Sequence, residues 1–240
     1  MPTTVDPAEI RKFEEMSHDW WDPNGKFRPL HRINPVRVAY IREHLAGSPN
    51  AHLTDLAIAD IGCGGGLLSE ALGDLKANVV AIDRSEQTVG AARIHQRESG
   101  SSVDYRVQSA ADLGKERPES FDAVCSMEVL EHVSDPALFL EECAALLKPG
   151  GKLFFATLNR TPKSYLMAIV GAEYILNWLP RGTHEYHKFI RPSELYQWLK
   201  PLNIQVKDIS GISYKPLRDH WYLSKDASVN FVGFGVKQGA

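Results

Sequence analysis

The sequence contains a glycine-rich segment whose residue types suit it to hold a nucleotide-like ligand. Residues 60–66 read DIGCGGG and follow an apolar run that ends at Ile61. Glycine in a strand-to-helix turn can adopt positive φ and lets a ligand approach the backbone without a Cβ in the way. The segment therefore predicts a ligand cradle at the end of a buried strand.

An acid beside this cradle narrows the class of ligand. The dinucleotide pattern Gly-x-Gly-x-x-Gly started at Gly62 would need a glycine at position 67, where the chain has Leu67. The spacing is instead Gly62, Gly64 and Gly66, preceded by Asp60. An acid repels a pyrophosphate but favours a ligand that carries a sulfonium and an ammonium group. Asp60, Gly62 and Gly64 are therefore predicted to bind S-adenosylmethionine.

A second acid supports a ligand that contains ribose. Asp83 ends the next apolar run, 21 residues after Gly62. An acid at this place can accept hydrogen bonds from both ribose hydroxyls, and it disfavours an NADP-type phosphate. Asp83 is therefore predicted to be a cofactor contact.

Three side chains after the fourth apolar run could act on a phenol. Glu128, Glu131 and His132 are spaced i, i+3 and i+4, which share one face of a helical turn. In one hypothesis His132 is the general base, with Glu131 beside it. In the other, all three bind a divalent ion such as Mg²⁺ or Zn²⁺, which would lower the pKa of a bound phenol.

Short apolar runs alternating with amphipathic ones must position these residues. They predict strands separated by helices, and so an α/β fold with a mostly parallel sheet covered by helices on both faces. The last two strands have only a loop between them, which predicts an antiparallel pair at the end of the sheet.

The chain divides into three predicted parts. Residues 1–50 are predicted to form a helical cap, with a second helix opened by Pro35, and residues 51–240 the main domain. An insertion at about 161–190 contains the apolar stretch Tyr165 to Leu179, which is too short to span a bilayer. It predicts either a helix packed on the domain or an interfacial lid over residues 164–180.

Composition excludes several other classes. The 240 residues carry a net charge of −3, which gives no support for a nucleic-acid partner. Three separated cysteines do not make a disulfide framework or a zinc site, and residues 1–11 lack the apolar core of a signal peptide. These features predict a cytoplasmic protein. The rival interpretations are a nicotinamide oxidoreductase and a catalytically silent module that binds S-adenosylmethionine.

Motifs along the chain resemble those of class I methyltransferases. The core motifs are FDAVCSMEVLEHV at 121–133 and LKPGG at 147–151. More specific stretches resemble the ubiquinone-biosynthesis O-methyltransferase family: WWD at 20–22, PLHRINPVR at 29–37, TLNR at 157–160, VGAEYIL at 170–176 and GTH at 182–184.

This resemblance implies a Rossmann-like sheet of seven strands with the last one antiparallel. It implies S-adenosylmethionine-dependent methylation of phenol oxygens on polyprenylated ubiquinone precursors, at both O-methylation steps. Arg37, Gly62, Asp83 and Met127 take the places of cofactor contacts, and metal dependence is implied for relatives. Adenine recognition stays open between Asp112 and the backbone near Ser109. Methylation of another small phenolic or lipid-like acceptor stays an alternative. A place on the inner face of the cell membrane, and association with other enzymes of ubiquinone synthesis, are also expected.

Overall fold

One mixed sheet of eight strands forms the centre of the computed structural model. The structure describes residues 4, 6–14, 16–48, 50–175, 185–215, 218 and 220–239, and of residues 171–175 it describes the backbone only. The strands are β1 Ala57–Ile61, β2 Asn78–Asp83, β3 Asp104–Val107, β4 Phe121–Met127, β5 Leu147–Leu158, β6 Ile204–Lys215, β7 His220–Ser224 and β8 Asn230–Lys237. Their order in the sheet is β3-β2-β1-β4-β5-β8-β6-β7.

Helices accompany the strands, and α3 to α6 connect the parallel ones, as the alternation of apolar runs predicts. They are α1 Pro7–Glu14, α2 Arg28–Ala46, α3 Leu67–Asp74, α4 Glu86–Ser99, α5 Ala110–Glu116, α6 Pro136–Leu146, the single turn α7 Pro162–Ser164 and α8 Pro192–Leu199. Short polar side chains begin several of them. The Ser85 hydroxyl, for example, accepts a hydrogen bond from the Thr88 backbone N–H at 3.1 Å at the start of α4.

The sheet confirms the predicted α/β class and adds a strand. β1 to β5 are parallel neighbours, and β8 lies antiparallel between β5 and β6. The prediction gave seven strands and ended β6 near Ile209. In the structure β6 continues to Lys215 and pairs with the extra edge strand β7 through residues 211–215.

Apolar side chains pack against both faces of this sheet. On one face, α2, α3 and α4 cover strand residues such as Ile58, Ala81 and Phe154. On the other face, α5, α6 and α8 cover strand residues such as Ile61, Val124 and Phe155. β4 lies in the middle of the sheet order and is buried on both faces. Its carboxyl end lies at the edge of the sheet where ligands bind in folds of this kind.

The second helix begins earlier than predicted. We expected Pro35 to open it, but α2 begins at Arg28 with Pro29 in its first turn, and Pro35 lies inside the helix. Proline suits a first turn because the N–H that it lacks has no intrahelical acceptor there. Pro29 takes that position, so α2 gains almost two turns before Pro35.

The insertion begins as a π-helix, Tyr165–Ile175. Tyr165, Leu166 and Met167 are exposed on it by 47%, 58% and 56%. The remainder of the predicted apolar stretch, 176–179, lies outside the described residues. Among the helices that the structure describes, none has the length and apolar character needed to cross a bilayer.

Candidate active site

The glycine-rich segment forms the turn between β1 and α3, and glycine is needed there. Gly62, Gly64 and Gly66 have φ of +74°, +55° and +91°, values that side chains disfavour. The Gly62 and Cys63 N–H groups donate to the Ile82 carbonyl of β2 at 2.8 and 3.0 Å. The turn is therefore held against the neighbouring strand with its backbone at the strand ends.

Asp83 connects this turn to the start of α4. Its Oδ2 accepts a hydrogen bond from the Gly64 N–H at 3.0 Å, and its Oδ1 accepts one from the Ser85 N–H at 2.9 Å. Burial raises the pKa of Asp83, against the lowering effect of these backbone hydrogen bonds. Each carboxylate oxygen keeps a second lone pair for a ligand hydroxyl.

Asp60 lies beneath the same turn and is almost completely buried. The Ser69 hydroxyl donates to its Oδ2 at 2.6 Å. Burial raises the pKa of Asp60 to about 6, in spite of the hydrogen bond from Ser69. This position gives the cavity a buried acid that a cation nearby would stabilise in its ionised form.

Arg37 brings a positive charge to the acidic side of the cavity from α2. Its Nη2 donates to Glu128 Oε1 at 2.7 Å. Its Nε is buried, and no hydrogen-bond partner for it lies among the described residues. An unsatisfied buried guanidinium N–H is costly, so this group is suited to a ligand carboxylate.

Met127 and the segment after β3 line the adenine side that the sequence predicts. Met127 ends β4 and is 9% exposed. Asp112 does not line the cavity, whereas Gln108, Ser109 and Ala110 do. The Asp112 carboxylate instead accepts a hydrogen bond from the Ser109 hydroxyl at 2.6 Å and one from Lys115 at 3.1 Å. Of the two places left open for adenine recognition, the segment at Ser109 lies in the cavity lining and Asp112 does not.

Trp20 covers part of the glycine turn from the N-terminal segment. A Cβ built on Gly64 would lie 2.1 Å from the Trp20 ring, and one on Gly65 would lie 2.2 Å from it. Trp21 Nε1 donates to the Gly65 carbonyl at 2.9 Å, and Asn34 Nδ2 donates to the Leu67 carbonyl at 2.8 Å. The N-terminal segment is thus held on the glycine turn by side chains that residue spacing did not single out as site residues.

The predicted metal site is not formed in the structure. Glu128 has φ of +58°, and the helical turn that follows covers only Leu130–His132, so the three side chains do not share one helical face. Glu128 pairs with Arg37, and Glu131 accepts a hydrogen bond from the Thr157 hydroxyl at 2.8 Å. Within the described residues, no group of three or more His, Cys, Asp or Glu side chains is arranged to hold a metal ion.

Glu131 is a buried acid behind the site. It is 2% exposed, and its Oε1 has no hydrogen-bond donor among the described residues. Burial raises the pKa of Glu131 well above its usual range, and the neighbouring Glu128 carboxylate raises it further. These surroundings favour the protonated carboxyl, so Glu131 is less suited than an exposed glutamate to accept a proton or to bind a cation.

His132 contacts a residue that the sequence did not reveal. Its Nδ1 lies 2.8 Å from Glu9 Oε2, and the Phe13 ring meets the imidazole edge-on with centroids 5.2 Å apart. Glu9 and Phe13 both come from α1. No short motif links α1 to the turn after β4, so no pattern in the sequence indicates this contact.

One cavity of about 840 Å³ joins these groups. Asp60, Gly62, Asp83, Met127 and His132 all line it. The same lining includes the apolar or aromatic side chains of Leu158, Met167, Ala168, Ile212, Tyr214 and Trp221, together with the polar Lys163, Asp226 and Asn230. The volume suits a nucleoside-type cofactor together with part of a second ligand.

Comparisons with known proteins agree with this geometry. Residues 59–155 match the family model described as a methyltransferase domain. Among solved structures, magnesium protoporphyrin IX methyltransferase from Synechocystis PCC 6803 with bound SAH has a TM-score of 0.66 at 18% identity, covering 96% of this chain and 94% of that one. A SAM-dependent methyltransferase from Aquifex aeolicus has a TM-score of 0.59 at 16% identity, covering 97% and 99%. These likenesses establish the fold.

Sequence relatives are more specific. The chain is 51% identical over 230 residues to the ubiquinone biosynthesis O-methyltransferase of Pseudomonas syringae pv. tomato, which covers 96% of this chain and 97% of the relative. The protein of the same name from Stutzerimonas stutzeri is 50% identical over 236 residues, with 98% and 99% covered. The chain therefore belongs to the ubiquinone biosynthesis O-methyltransferase family.

Proposed function

We propose that this chain transfers a methyl group from S-adenosylmethionine to phenol oxygens of polyprenylated ubiquinone precursors, at both O-methylation steps. The observation that carries the proposal is a cavity whose lining includes the glycine turn, Asp83, His132 and many apolar side chains. The names of the full-length relatives support this choice of acceptor.

The cofactor side of the cavity suits this ligand group by group. Asp83 would bind the ribose hydroxyls, and the Arg37 Nε–H would bind the carboxylate of the methionine part. Asp60 supplies negative charge near the ammonium and sulfonium groups. The sulfonium, when bound, supplies an electrophilic methyl, so the protein must mainly orient the acceptor oxygen and remove its proton.

His132 is the proposed general base. A phenol has a pKa of about 10 and keeps its proton at neutral pH, so its oxygen becomes a good nucleophile only as the proton leaves. Because Nδ1 of His132 faces Glu9, Nε2 is the ring nitrogen that we assign to take that proton. Glu131 lies next to this residue in the chain, and its carboxyl accepts a hydrogen bond from the Thr157 hydroxyl.

The test is methyl transfer from labelled S-adenosylmethionine to a catechol with a short polyprenyl tail. Because base catalysis contributes about 10²- to 10⁴-fold, we expect His132→Ala to lower kcat about 100-fold or more. The KM for S-adenosylmethionine should change little. His18→Ala is the matched control, since the His18 side chain is 71% exposed and does not line the cavity. Wild-type kcat in His132→Ala would rule out His132 as the base.

A panel of acceptors separates the proposal from its rivals. We expect kcat/KM to rise with tail length, because the apolar side chains of the lining gain contact with each isoprene unit. Equal rates on tailless catechols would favour a small phenolic acceptor. Absence of transfer to every phenol, with cofactor bound, would indicate a non-catalytic binding module.

Metal removal tests whether Glu128, Glu131 and His132 bind a metal ion that the reaction needs. A metal bound by Glu128, Glu131 and His132 would have to displace Arg37, Thr157 and Glu9 from them. We therefore expect activity to survive exhaustive chelation within about twofold, against a base contribution of about 10²-fold. Loss of activity that Mg²⁺ restores would show that these contacts rearrange around an ion during turnover.

We further propose that residues 1–50 act as a cap, and 161–190 as a lid that contacts the inner face of the cell membrane. The exposed Tyr165 and Leu166 support this, since apolar side chains of this size bind the membrane interface. In liposome flotation, Tyr165→Ser with Leu166→Ser should reduce binding. Tyr196→Ser removes an aromatic ring of similar exposure (54%) from α8 and should leave flotation unchanged. Equal flotation of the double variant and wild type would contradict the membrane role.

A further inference from the structure

The environment of Glu9 differs from that of an ordinary surface glutamate. Glu9 lies in the first turns of α1, and its side chain is 6% exposed. Its Oε1 accepts hydrogen bonds from Lys12 Nζ at 2.9 Å and Lys188 Nζ at 3.0 Å, while its Oε2 faces His132 Nδ1 at 2.8 Å. A buried acid with one oxygen given to two lysines is held in one orientation by them.

The charge state of Glu9 fixes the direction of the bond to His132. Burial alone would raise the pKa of Glu9, but hydrogen bonds from His132, Lys12 and Lys188 hold that pKa well below its usual range. An ionised carboxylate is only an acceptor, so Nδ1 of His132 must carry the proton between them. In the neutral imidazole, Nε2 then has the lone pair.

We propose that Glu9 is a positioning residue for His132, which fixes the imidazole in the tautomer that presents the Nε2 lone pair to the acceptor phenol. The proposal rests on the assignment of His132 as the base. Glu9 lies 123 positions before His132 in the chain, so the pair forms only when α1 is docked beside the turn that follows β4. The N-terminal cap would then supply part of the catalytic apparatus as well as covering it.

The groups around Glu9 and His132 support the view that Glu9 orients the imidazole and does not only balance the charge of the lysines. Besides Lys12 and Lys188, the charged groups of this cluster are Asp6, 3.4 Å from Lys188, and Glu185, 2.8 Å from Lys188. The lysines therefore have other acids to pair with. The Phe13 ring against the imidazole restricts its rotation from a second side. A carboxylate–imidazole bond of this kind is known to orient a histidine base, and its loss can cost about 10⁴-fold in kcat.

The test compares Glu9→Gln with Glu185→Gln in the full-length chain. The amide keeps the size of the side chain but can offer Nδ1 either an N–H or a carbonyl, so both tautomers become populated. We expect Glu9→Gln to lower kcat about 10- to 100-fold, within the range of base catalysis, with KM for S-adenosylmethionine within about twofold. Glu185→Gln is the matched control because Glu185 belongs to the same cluster without contacting His132, and it should stay within about twofold of wild type.

Two further measurements separate this role from a structural one. The ¹⁵N shifts of the His132 ring should show the Nδ1–H tautomer in wild type and a mixture in Glu9→Gln, with the signal assigned from a His132→Asn spectrum. An Nε2–H tautomer in wild type would overturn the proposal even if Glu9→Gln does not fold. In a double-mutant cycle, adding Glu9→Gln to His132→Ala should cause no further loss of kcat.

The outcomes also distinguish the two proposals. If His132→Ala is inactive while Glu9→Gln matches wild type, Glu9 has no positioning role and the base assignment stands. If His132→Ala keeps wild-type kcat, the base assignment fails and the positioning role fails with it, whatever the tautomer. An equal loss in Glu185→Gln would trace the effect to the whole charged cluster and overturn the specific role of Glu9.

Discussion

Asp60 and Asp83 give the cofactor side of the cavity two acids at the ends of adjacent strands. Both carboxyls are tied to protein donors, Asp60 to Ser69 and Asp83 to two backbone N–H groups. Their positions differ, because Asp60 lies deeper than Asp83, beneath the glycine turn. A buried acid whose charge is suppressed by its surroundings responds to any cation that binds beside it.

This response predicts a pH-dependent affinity for S-adenosylmethionine. Burial raises the pKa of Asp60 to about 6, so its carboxyl is mostly protonated at pH 5 and mostly ionised at pH 7. A cationic ligand binds the ionised form better. Affinity should therefore rise about tenfold from pH 5 to pH 7 and then level off. Calorimetric titration of the wild type at pH 5, 6 and 7 measures this rise.

The matched variant is Asp60→Asn, which keeps an acceptor for Ser69 but cannot ionise. Its affinity should be lower than that of wild type at pH 7 and nearly flat over the same range. The same slope in Asp60→Asn as in wild type would assign the dependence to another group.

Sequence could predict the residues of the site that follow a local rule. The glycines, Asp60 and Asp83 occupy fixed places at strand ends, and spacing alone indicated them. Glu9 and Trp20 escaped because each meets its partner across a long stretch of chain. The metal hypothesis assumed a helical turn through Glu128, and that assumption fails because the backbone there has φ of +58°.

Among the structural elements, the segment between α1 and α2 contacts the glycine turn through two tryptophans. Trp20 packs on the turn and stacks on Phe27 with centroids 3.9 Å apart. Trp21 donates to Gly65 and stacks on His95 of α4, with centroids 3.3 Å apart. The cap is thus attached to the cofactor turn and to the helix that follows Asp83.

Removing one hydrogen bond should loosen this attachment. Trp21→Phe keeps an aromatic ring against His95 but loses the donor to Gly65. A hydrogen bond of this kind contributes about 0.5–1.5 kcal/mol. Amide exchange in α1 and at residues 17–27 should therefore become about 3- to 10-fold faster, while exchange in β4 should not change.

Trp198→Phe is the control for this variant, because Trp198 packs on the opposite face of the sheet. It should leave exchange in α1 unaffected. Unchanged α1 exchange in Trp21→Phe would show that other contacts hold the cap.

Apolar runs indicated the first five strands, including the short β3. They did not indicate β7, a half-exposed edge strand of five residues, because the prediction placed only a loop between the last two strands. The early start of α2 depends on Pro29, which either a loop or a first helical turn would accommodate.

At the scale of the whole molecule, two apolar layers share one sheet, and β8 contributes to both. Phe231 of β8 is completely buried on one face, while Val232 and Phe234 belong to the other. In the sheet, β8 lies between β5 and β6 and is hydrogen-bonded to both of them.

Truncation in β8 should therefore destabilise the whole domain. We expect Phe231→Ala to lower the free energy of unfolding by about 3–5 kcal/mol. In urea unfolding the midpoint should fall with little change in the m-value. Leu223→Ala on β7 is the control, since Leu223 is 37% exposed at the edge, and it should cost less than about 1 kcal/mol. Equal losses in the two variants would contradict a central role for β8.

The position of β8 also has a consequence for the growing chain on the ribosome. β5 ends at Leu158, but its neighbour in the sheet begins only at Asn230. Until those residues leave the exit tunnel, one edge of β5 has backbone N–H and C=O groups without their final partners, and exposed strand edges of this kind promote aggregation. Nascent chains stalled before Asn230 should therefore recruit chaperones, and release from them should follow synthesis of the last strand.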